Sequence, residues 1–261
     1  MINLSQETIK DFTKNELTDL WQFAQKCLIA RSSRKIKEII NSVRQFFSYD
    51  FAIGILVNVA ETSNVTAIEV VNVSYPKEWI NIYKEKSFHK VDPVAKMHLR
   101  LFKGQIWSQT YRQETRKNHE FIRLSNEFGL RDGVSHGIKE AISPHGSIFS
   151  FAGIKRDEMQ RALLILDLII PHMHIALKNY YREKNKQRLI EEKSLNTQLS
   201  NREKEVLNWL KIGKTNWEIS MIMNISERTA KFHVDNIKQK LNSSTRGYAV
   251  AKAIQLELIS L

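Results

Sequence analysis

One stretch near the end of the chain limits its fold more than any other: Leu199 to Leu241, reading LSNREKEVLNWLKIGKTNWEISMIMNISERTAKFHVDNIKQKL. Its punctuation predicts three helices with two sharp stops. Arg202 to Ile212 is the first, closed by Gly213, which enters the left-handed conformation of a helix C-cap without a Cβ clash. Thr215 offers a hydroxyl N-cap to Asn216 to Met223. Asn224 and Ile225 make a short turn, and Ser226 caps Glu227 to Leu241. Two helices joined by a tight turn, the second longer and basic, form the helix-turn-helix pattern.

The third helix divides into faces. Ala230, Val234, Ile237 and Leu241 recur at helical spacing and make an apolar stripe. Arg228, Lys231, Phe232, Asp235, Lys238 and Gln239 lie on other faces. A helix with an apolar back and a basic, hydrogen-bonding front is what a DNA major groove accepts. An ordinary surface helix of a small bundle shares the same spacing.

The residues themselves go further. LSNREKEVL, GKTNWEIS and ISERTAKFHVDNIKQKL closely resemble the DNA-binding domain of LuxR-type bacterial transcription regulators, with Arg202, Glu203, Gly213, Thr215, Glu218, Ser226, Thr229, His233 and Leu241 among the matching positions. Ala249 to Ile259 looks like that family's fourth, packing helix. The resemblance implies a double-stranded DNA interface built from Arg228, Thr229, Lys231, Phe232, His233, Asp235, Lys238 and Lys240. Arg228 and Lys231 suit base edges or nearby phosphates; Lys238, Lys240 and His233 suit phosphates. Asp235 accepts from a cytosine amino group or pairs with a neighbouring lysine.

Composition agrees. The chain has 261 residues and a formal net charge of +12, which favours a polyanionic partner or an anionic surface. Its length suits two domains, and 42% hydrophobic residues suffice for a core. A lone cysteine, Cys27, excludes an intramolecular disulfide framework and fits a reducing cytoplasm, where a small buried apolar role is the simplest. The first residues carry charges every few positions and no apolar signal-peptide core. No uncharged apolar run reaches the length of a membrane span, so none is expected.

Met1 to Ser48 reads as helical, with Leu4, Ile9, Phe12, Leu17, Leu20, Phe23 and Leu28 in broken periodicity, then Ile36 to Phe47 as a second amphipathic helix. Phe51 to Val59 is apolar and β-branched, hence a buried strand. Thr66 to Val73 is a second, and the polar stretch Glu61 to Asn64 makes a hairpin of the two. Trp79 to Phe88 reads as helix, ending before Asp92-Pro93, since the residue before proline is pushed out of the helical region. Tyr75, Trp79 and Tyr83 are spaced four apart and share a face if helical, which suits either core or a pocket. Asp92 also suits a cap for a helix starting at Pro93.

A second resemblance enters with this stretch. Y-P-x-x-W-x-x-x-Y, then D-P nine residues after the last tyrosine, then W fifteen residues after the aspartate, is similar to the signature of the autoinducer-binding domain of acyl-homoserine-lactone receptors. Tyr75, Trp79, Tyr83, Asp92, Pro93 and Trp107 fill it in register. The resemblance implies a pocket for an N-acyl-homoserine lactone and no other cofactor. In it the Trp79 indole donates to the lactone carbonyl, Asp92 accepts from the amide N–H, and the Tyr75 hydroxyl donates to an acyl or amide carbonyl. Tyr83 and Trp107 supply aromatic wall. A few placed polar groups on an apolar wall are what such an amphiphile needs.

Gly129 and Gly133 sit where the family has a glycine before a strand, and Ile148 to Ala152 resembles its last strand, which places Ser150 in the pocket. Here the sequence departs from the family: Pro144, His145 and Gly146 run almost directly into the strand, so the hairpin is shortened or re-registered. Asp157 to Tyr181 reads as a long amphipathic helix that Pro171 should kink or split. His172 and His174 lie two apart and do not share a helix face, which argues against a metal site. The charged stretch Lys178 to Asn196 reads as the helix end and an interdomain linker.

The expected fold is therefore α+β: an N-terminal α-β-α sandwich around an antiparallel sheet (1–177), a linker (178–196) and a small all-α helix-turn-helix domain (197–261). The resemblance implies a ligand-responsive, cytoplasmic transcription regulator that binds an inverted repeat as a homodimer, with RNA polymerase a further partner, and controls quorum-sensing genes. A response regulator shares the DNA-binding domain but needs a receiver's acidic pair, strand-end aspartate and later lysine, which the sequence lacks. An enzyme on the lactone needs a metal cluster or a nucleophile–base pair, and the histidines are scattered. An orphan family member, answering another signal or none, stays open as the alternative.

Overall fold

The computed structural model describes residues 10–59, 65–112, 119–196 and 199–260. Leu4, Ile9 and the Glu61 to Asn64 turn lie outside these. The chain divides into two compact units, Met1–Glu183 and Lys184–Leu261.

In the first unit, α1 (Lys14–Ile29) starts at Thr13, whose hydroxyl and Glu16 form a reciprocal capping box. Helix α2 (Ser33–Ser42) follows and passes into a short 3₁₀ turn, Val43–Gln45. The strands are β1 (Phe51–Val59), β2 (Val65–Asn72), β3 (Gln105–Ile106), β4 (Gly133–His136) and β5 (His145–Ala152). They form one antiparallel sheet in the order β2-β1-β5-β4-β3. Four helices lie between the strands: α3 (Lys77–Glu85), α4 (Pro93–Leu101), α5 (Trp107–Tyr111) and α6 (His119–Glu127). The last element, α7 (Met159–Asn196), follows β5.

Each sheet face buries its own apolar cluster, which makes the expected α-β-α sandwich. On one face, Phe23, Ile36, Ile40, Leu56, Phe149, Leu166, Ile170 and Met173 unite α1, α2, the sheet and α7. Gly54 lets α2 approach: a Cβ there would stand 2.9 Å from the Phe149 ring and 3.0 Å from Ile40. On the other face, Ile53, Trp79, Phe88, Val94, Trp107, Phe121 and Leu130 unite the sheet with α3 to α6. This second cluster surrounds the pocket. Strands β3 and β4 and helices α5 and α6 are additions to the elements that periodicity had marked; β3, β4 and α5 are too short to show a period.

One expectation needs correction. Helix α7 is not split at Pro171. Proline removes one backbone hydrogen bond, at a cost of about 3 kcal/mol, but Leu166, Ile169, Ile170, Met173, Ala176 and Leu177 around it are all buried, and this packing holds the helix together. The same helix continues through Lys178 to Asn196, the stretch read as the helix end and linker. By length and composition, Met159–Arg188 also contains an 18-residue window apolar enough to cross a membrane, with mean hydropathy 1.3. Half of that apolar window is buried inside the protein, as in a core helix.

The second unit holds α8 (Asn201–Lys211), α9 (Asn216–Met223), α10 (Glu227–Lys240) and α11 (Arg246–Gln255) around Val206, Leu207, Ile219, Ala230, Val234, Ile237 and Ala249. Ser200 with Glu203 and Thr215 with Glu218 form capping boxes, and Ser226 caps α10. Gly213 adopts φ 82°, the left-handed cap its position predicted.

Candidate ligand pocket and DNA-binding face

A cavity of about 460 Å³ lies between the sheet and α3 to α6, and all of Tyr75, Trp79, Tyr83, Asp92, Trp107 and Ser150 line it. Local structure explains how each gets there. Tyr75 is held at the end of β2 by Asn72, whose side chain accepts from the Tyr75 N–H (2.8 Å) and donates to its carbonyl (2.9 Å). Trp79 and Tyr83 are one turn apart on α3. Asp92 caps α4, one carboxylate oxygen accepting from the Val94 (2.8 Å) and Ala95 (3.1 Å) N–H groups. Its second oxygen accepts from the Tyr83 hydroxyl at 2.9 Å. Asp92 is thus both cap and pocket residue, and Tyr83 is its orienter as well as wall.

Trp107 and Ser150 belong to one chain of hydrogen bonds. The Trp107 indole donates to the Ser135 hydroxyl at 2.8 Å, which meets the Ser150 hydroxyl at 2.7 Å. Ser135 and Ser150 are register partners on β4 and β5. Trp107 therefore spends its N–H inside the protein and offers a ligand only its ring. The Trp79 indole is 3% exposed as a residue, and its N–H has no acceptor among the described residues. Around it Tyr83, Phe88, Phe121 and Phe128 place ring centroids 5.7–6.0 Å away, a closed aromatic wall.

Burial sets the protonation states. It lifts the Asp92 carboxyl above the usual range, although the Ala95 N–H, the Tyr83 hydroxyl, the Val94 N–H and Lys96 pull the other way. Burial, then the Asp92 charge, also pushes the phenols of Tyr75, Tyr83 and Tyr111 far up, so all three remain hydroxyl donors. The sequence reading missed Tyr111 and Ser135. Tyr111 follows Trp107 by one helical turn and lines the cavity, and its hydroxyl has no partner among the described residues. Only an expected helix over 107–111 would have flagged it.

In the second unit, Arg228, Lys231, Phe232 and Asp235 are exposed on the outer face of α10. Thr229 is half-buried, its hydroxyl 2.7 Å from that of Ser226 at the cap. His233 is half-buried beside the Phe232 ring. Asp235 pairs loosely with Lys238 at 3.9 Å. Lys240 donates to Glu203 at 2.8 Å and braces α10 on α8, the least free cation of the set.

Residues 32–177 match the family described as Autoinducer binding domain, and residues 197–253 match Bacterial regulatory proteins, luxR family. The chain is 33% identical over 189 residues to the HTH-type quorum sensing-dependent transcriptional regulator RpaR of Rhodopseudomonas palustris, covering 72% of this chain and 74% of that one. It is 34% identical over 196 residues to the HTH-type regulator y4qH of Sinorhizobium fredii, where the match spans 72% of this chain and only 56% of the relative. SdiA of Escherichia coli shares the fold at TM-score 0.50 and 21% identity, over 94% of this chain and 99% of that one. SdiA in complex with octanoyl-rac-glycerol aligns at TM-score 0.52 and 21% identity, over 93% and 96%. With a matching ligand domain, a matching helix-turn-helix domain and these relatives, the chain belongs to the LuxR-type quorum-sensing transcriptional regulators, proteins that work through DNA and a small molecule and are not enzymes.

Proposed function

We propose that the cavity binds an N-acyl-homoserine lactone and that the bound protein, as a dimer, recognises an inverted repeat. The observation that carries this reading is the pattern of open valences in the pocket. The Trp79 N–H has no acceptor among the described residues, while Asp92 is anchored by three donors and keeps a lone pair on its outer oxygen. One free donor and one fixed acceptor match the lactone carbonyl and the amide N–H. Tyr75 and Ser150 then serve the amide carbonyl, and Ile53, Ile55, Val70 and Ile148 of the sheet offer the acyl chain an apolar floor. Each of these polar groups left unmatched costs about 1–3 kcal/mol, so the set discriminates as well as binds.

On the DNA side, two copies of α10 one helical turn apart read the half-sites, with Arg228 and Lys231 at base edges and His233 and Lys238 at phosphates. RNA polymerase is the partner through which such a dimer controls quorum-sensing genes in the cytoplasm. A second reading has one observation in its favour: a protein of this fold is known in complex with octanoyl-rac-glycerol. A monoacylglycerol also pairs an oxygen-rich head with an apolar tail.

Thermal unfolding of the purified full chain, with and without lactones of graded acyl length, tests the proposal. At a ligand concentration of 100 Kd the folded state gains about 2.7 kcal/mol, which raises Tm by about 5–10 °C. The shift should follow one chain-length class and vanish in Trp79→Phe. A shift with octanoylglycerol and none with any lactone supports the second reading instead.

A further inference from the structure

The outer face of α10 carries a residue that its electrostatics does not explain. Ala230, Val234, Ile237 and Leu241 are buried in the domain core. At about 100° per residue, Phe232 falls almost diametrically opposite that stripe, in line with Arg228 one turn before it and Asp235 one turn after. It is 60% exposed, and the ring contact recorded for it is the edge of its own neighbour His233, centroids 5.9 Å apart. A large apolar side chain this exposed on a polar, cationic face contributes little to the core of its domain. On a helix that enters the major groove, a side chain opposite the buried stripe faces the base edges. The apolar group that a major groove displays is the C5-methyl of thymine; other groups there on the base edges are hydrogen-bond donors and acceptors.

We propose that Phe232 is a specificity-determining residue that reads a thymine methyl in each half-site. Arg228, one turn before it, and Lys231, its neighbour in sequence, donate to guanine O6 and N7, so the thymine lies beside a guanine contact. This rests on the reading of α10 as the groove-entering helix. Apolar contact, unlike a phosphate contact, makes the discrimination insensitive to salt.

The test uses the full chain, purified with whichever lactone raises its Tm, or alone if none does. Binding sites are enriched from a random duplex DNA pool, and each thymine of the enriched half-site is then replaced by deoxyuracil, which removes the methyl and keeps every hydrogen bond. One position per half-site should lose about fourfold in affinity, the value of one buried methyl-sized group. Phe232→Ala should bind the thymine duplex correspondingly more weakly and show no further loss with uracil. Phe232→Leu should keep part of the sensitivity, and Lys231→Ala all of it. Because Phe232 is exposed, the variants should melt as the parent does. A flat uracil scan on an enriched site, or a loss that persists in Phe232→Ala, overturns the thymine reading alone. A pool from which the parent enriches nothing overturns the groove-entering role of α10 along with it.

Discussion

Asp92 concentrates the chemistry of the pocket at the residue scale. Its two oxygens hold the start of α4 and the Tyr83 hydroxyl, and burial keeps its proton affinity above that of an ordinary carboxyl. A carboxyl with a raised folded-state pKa contributes stability at low pH, and that contribution is lost as pH rises through the raised value. The lactone binding proposed above runs the other way, since its amide N–H would need the carboxylate. Affinity measured by calorimetry should therefore fall as pH drops through a midpoint above the usual aspartate range. Asp92→Asn should flatten that dependence and lose about 1.5–3 kcal/mol of binding, the worth of a hydrogen bond to a charged group. Its amide oxygen still caps α4, so the ligand-free protein should stay folded. Tyr111→Phe separates pocket from core in the same way. Its hydroxyl has no partner among the described residues, so ligand-free Tm should not move, while ligand affinity drops by about 0.5–1.5 kcal/mol.

Strand β5 does two jobs at the scale of elements, because successive residues face opposite sides of a sheet. Ile148 and Ser150 line the pocket, while Ser147 and Phe149 face α7. His174 of α7, 1% exposed, places its Nδ1 2.9 Å from the Ser147 hydroxyl and its Nε2 3.1 Å from Glu140 in the β4–β5 connection. Lys178, one turn further on, donates to the same Glu140 oxygen. Burial lowers the His174 pKa, with Glu140 opposing, so the ring is a neutral brace. Glu140 is held down at about 2: burial would raise it, but Lys178, Ser143 and His174 outweigh that. A depressed folded-state pKa contributes stability above the ordinary glutamate range, lost as pH falls toward about 2. Acid unfolding of the ligand-binding unit should therefore lose part of its steepness between these limits in Glu140→Gln. In the DNA-binding unit the vulnerable device is the cap of α9. Thr215→Ala should destabilise that unit by about 0.5–2 kcal/mol in chemical denaturation.

For the molecule as a whole, charge and ligand act on different units. The +12 excess makes operator binding salt-dependent. Each phosphate neutralised contributes about −0.9 to the slope of log K against log salt. Lys238→Ala should reduce the magnitude of that slope by about 0.9 per subunit in filter binding or fluorescence anisotropy. It should leave the ligand-induced Tm shift intact, whereas Trp79→Phe should do the reverse.

Much of this molecule is local in sequence and was legible there. Helices α8 to α10 announce themselves through Gly213, Thr215 and Ser226, since a cap is satisfied within three or four residues of itself. The Trp79, Tyr83 and Asp92 spacing likewise lies on one helix and the cap that follows, while Tyr75 stands just before that helix. What no local pattern contained is the meeting of distant segments. Ser135 joins Trp107 to Ser150 only because β4 and β5 pair in one register, which decides that the Trp107 indole is spent inside the protein. Tyr111 enters the pocket on a helix of five residues, too short to carry a period. Helix α7 runs through Pro171 because buried packing on both sides outweighs the missing hydrogen bond. Periodicity and caps depend on neighbours along the chain, so the residues alone determine them; a cavity, a shared hydrogen-bond chain and a proline-tolerant helix depend on neighbours across space, and only folding supplies those.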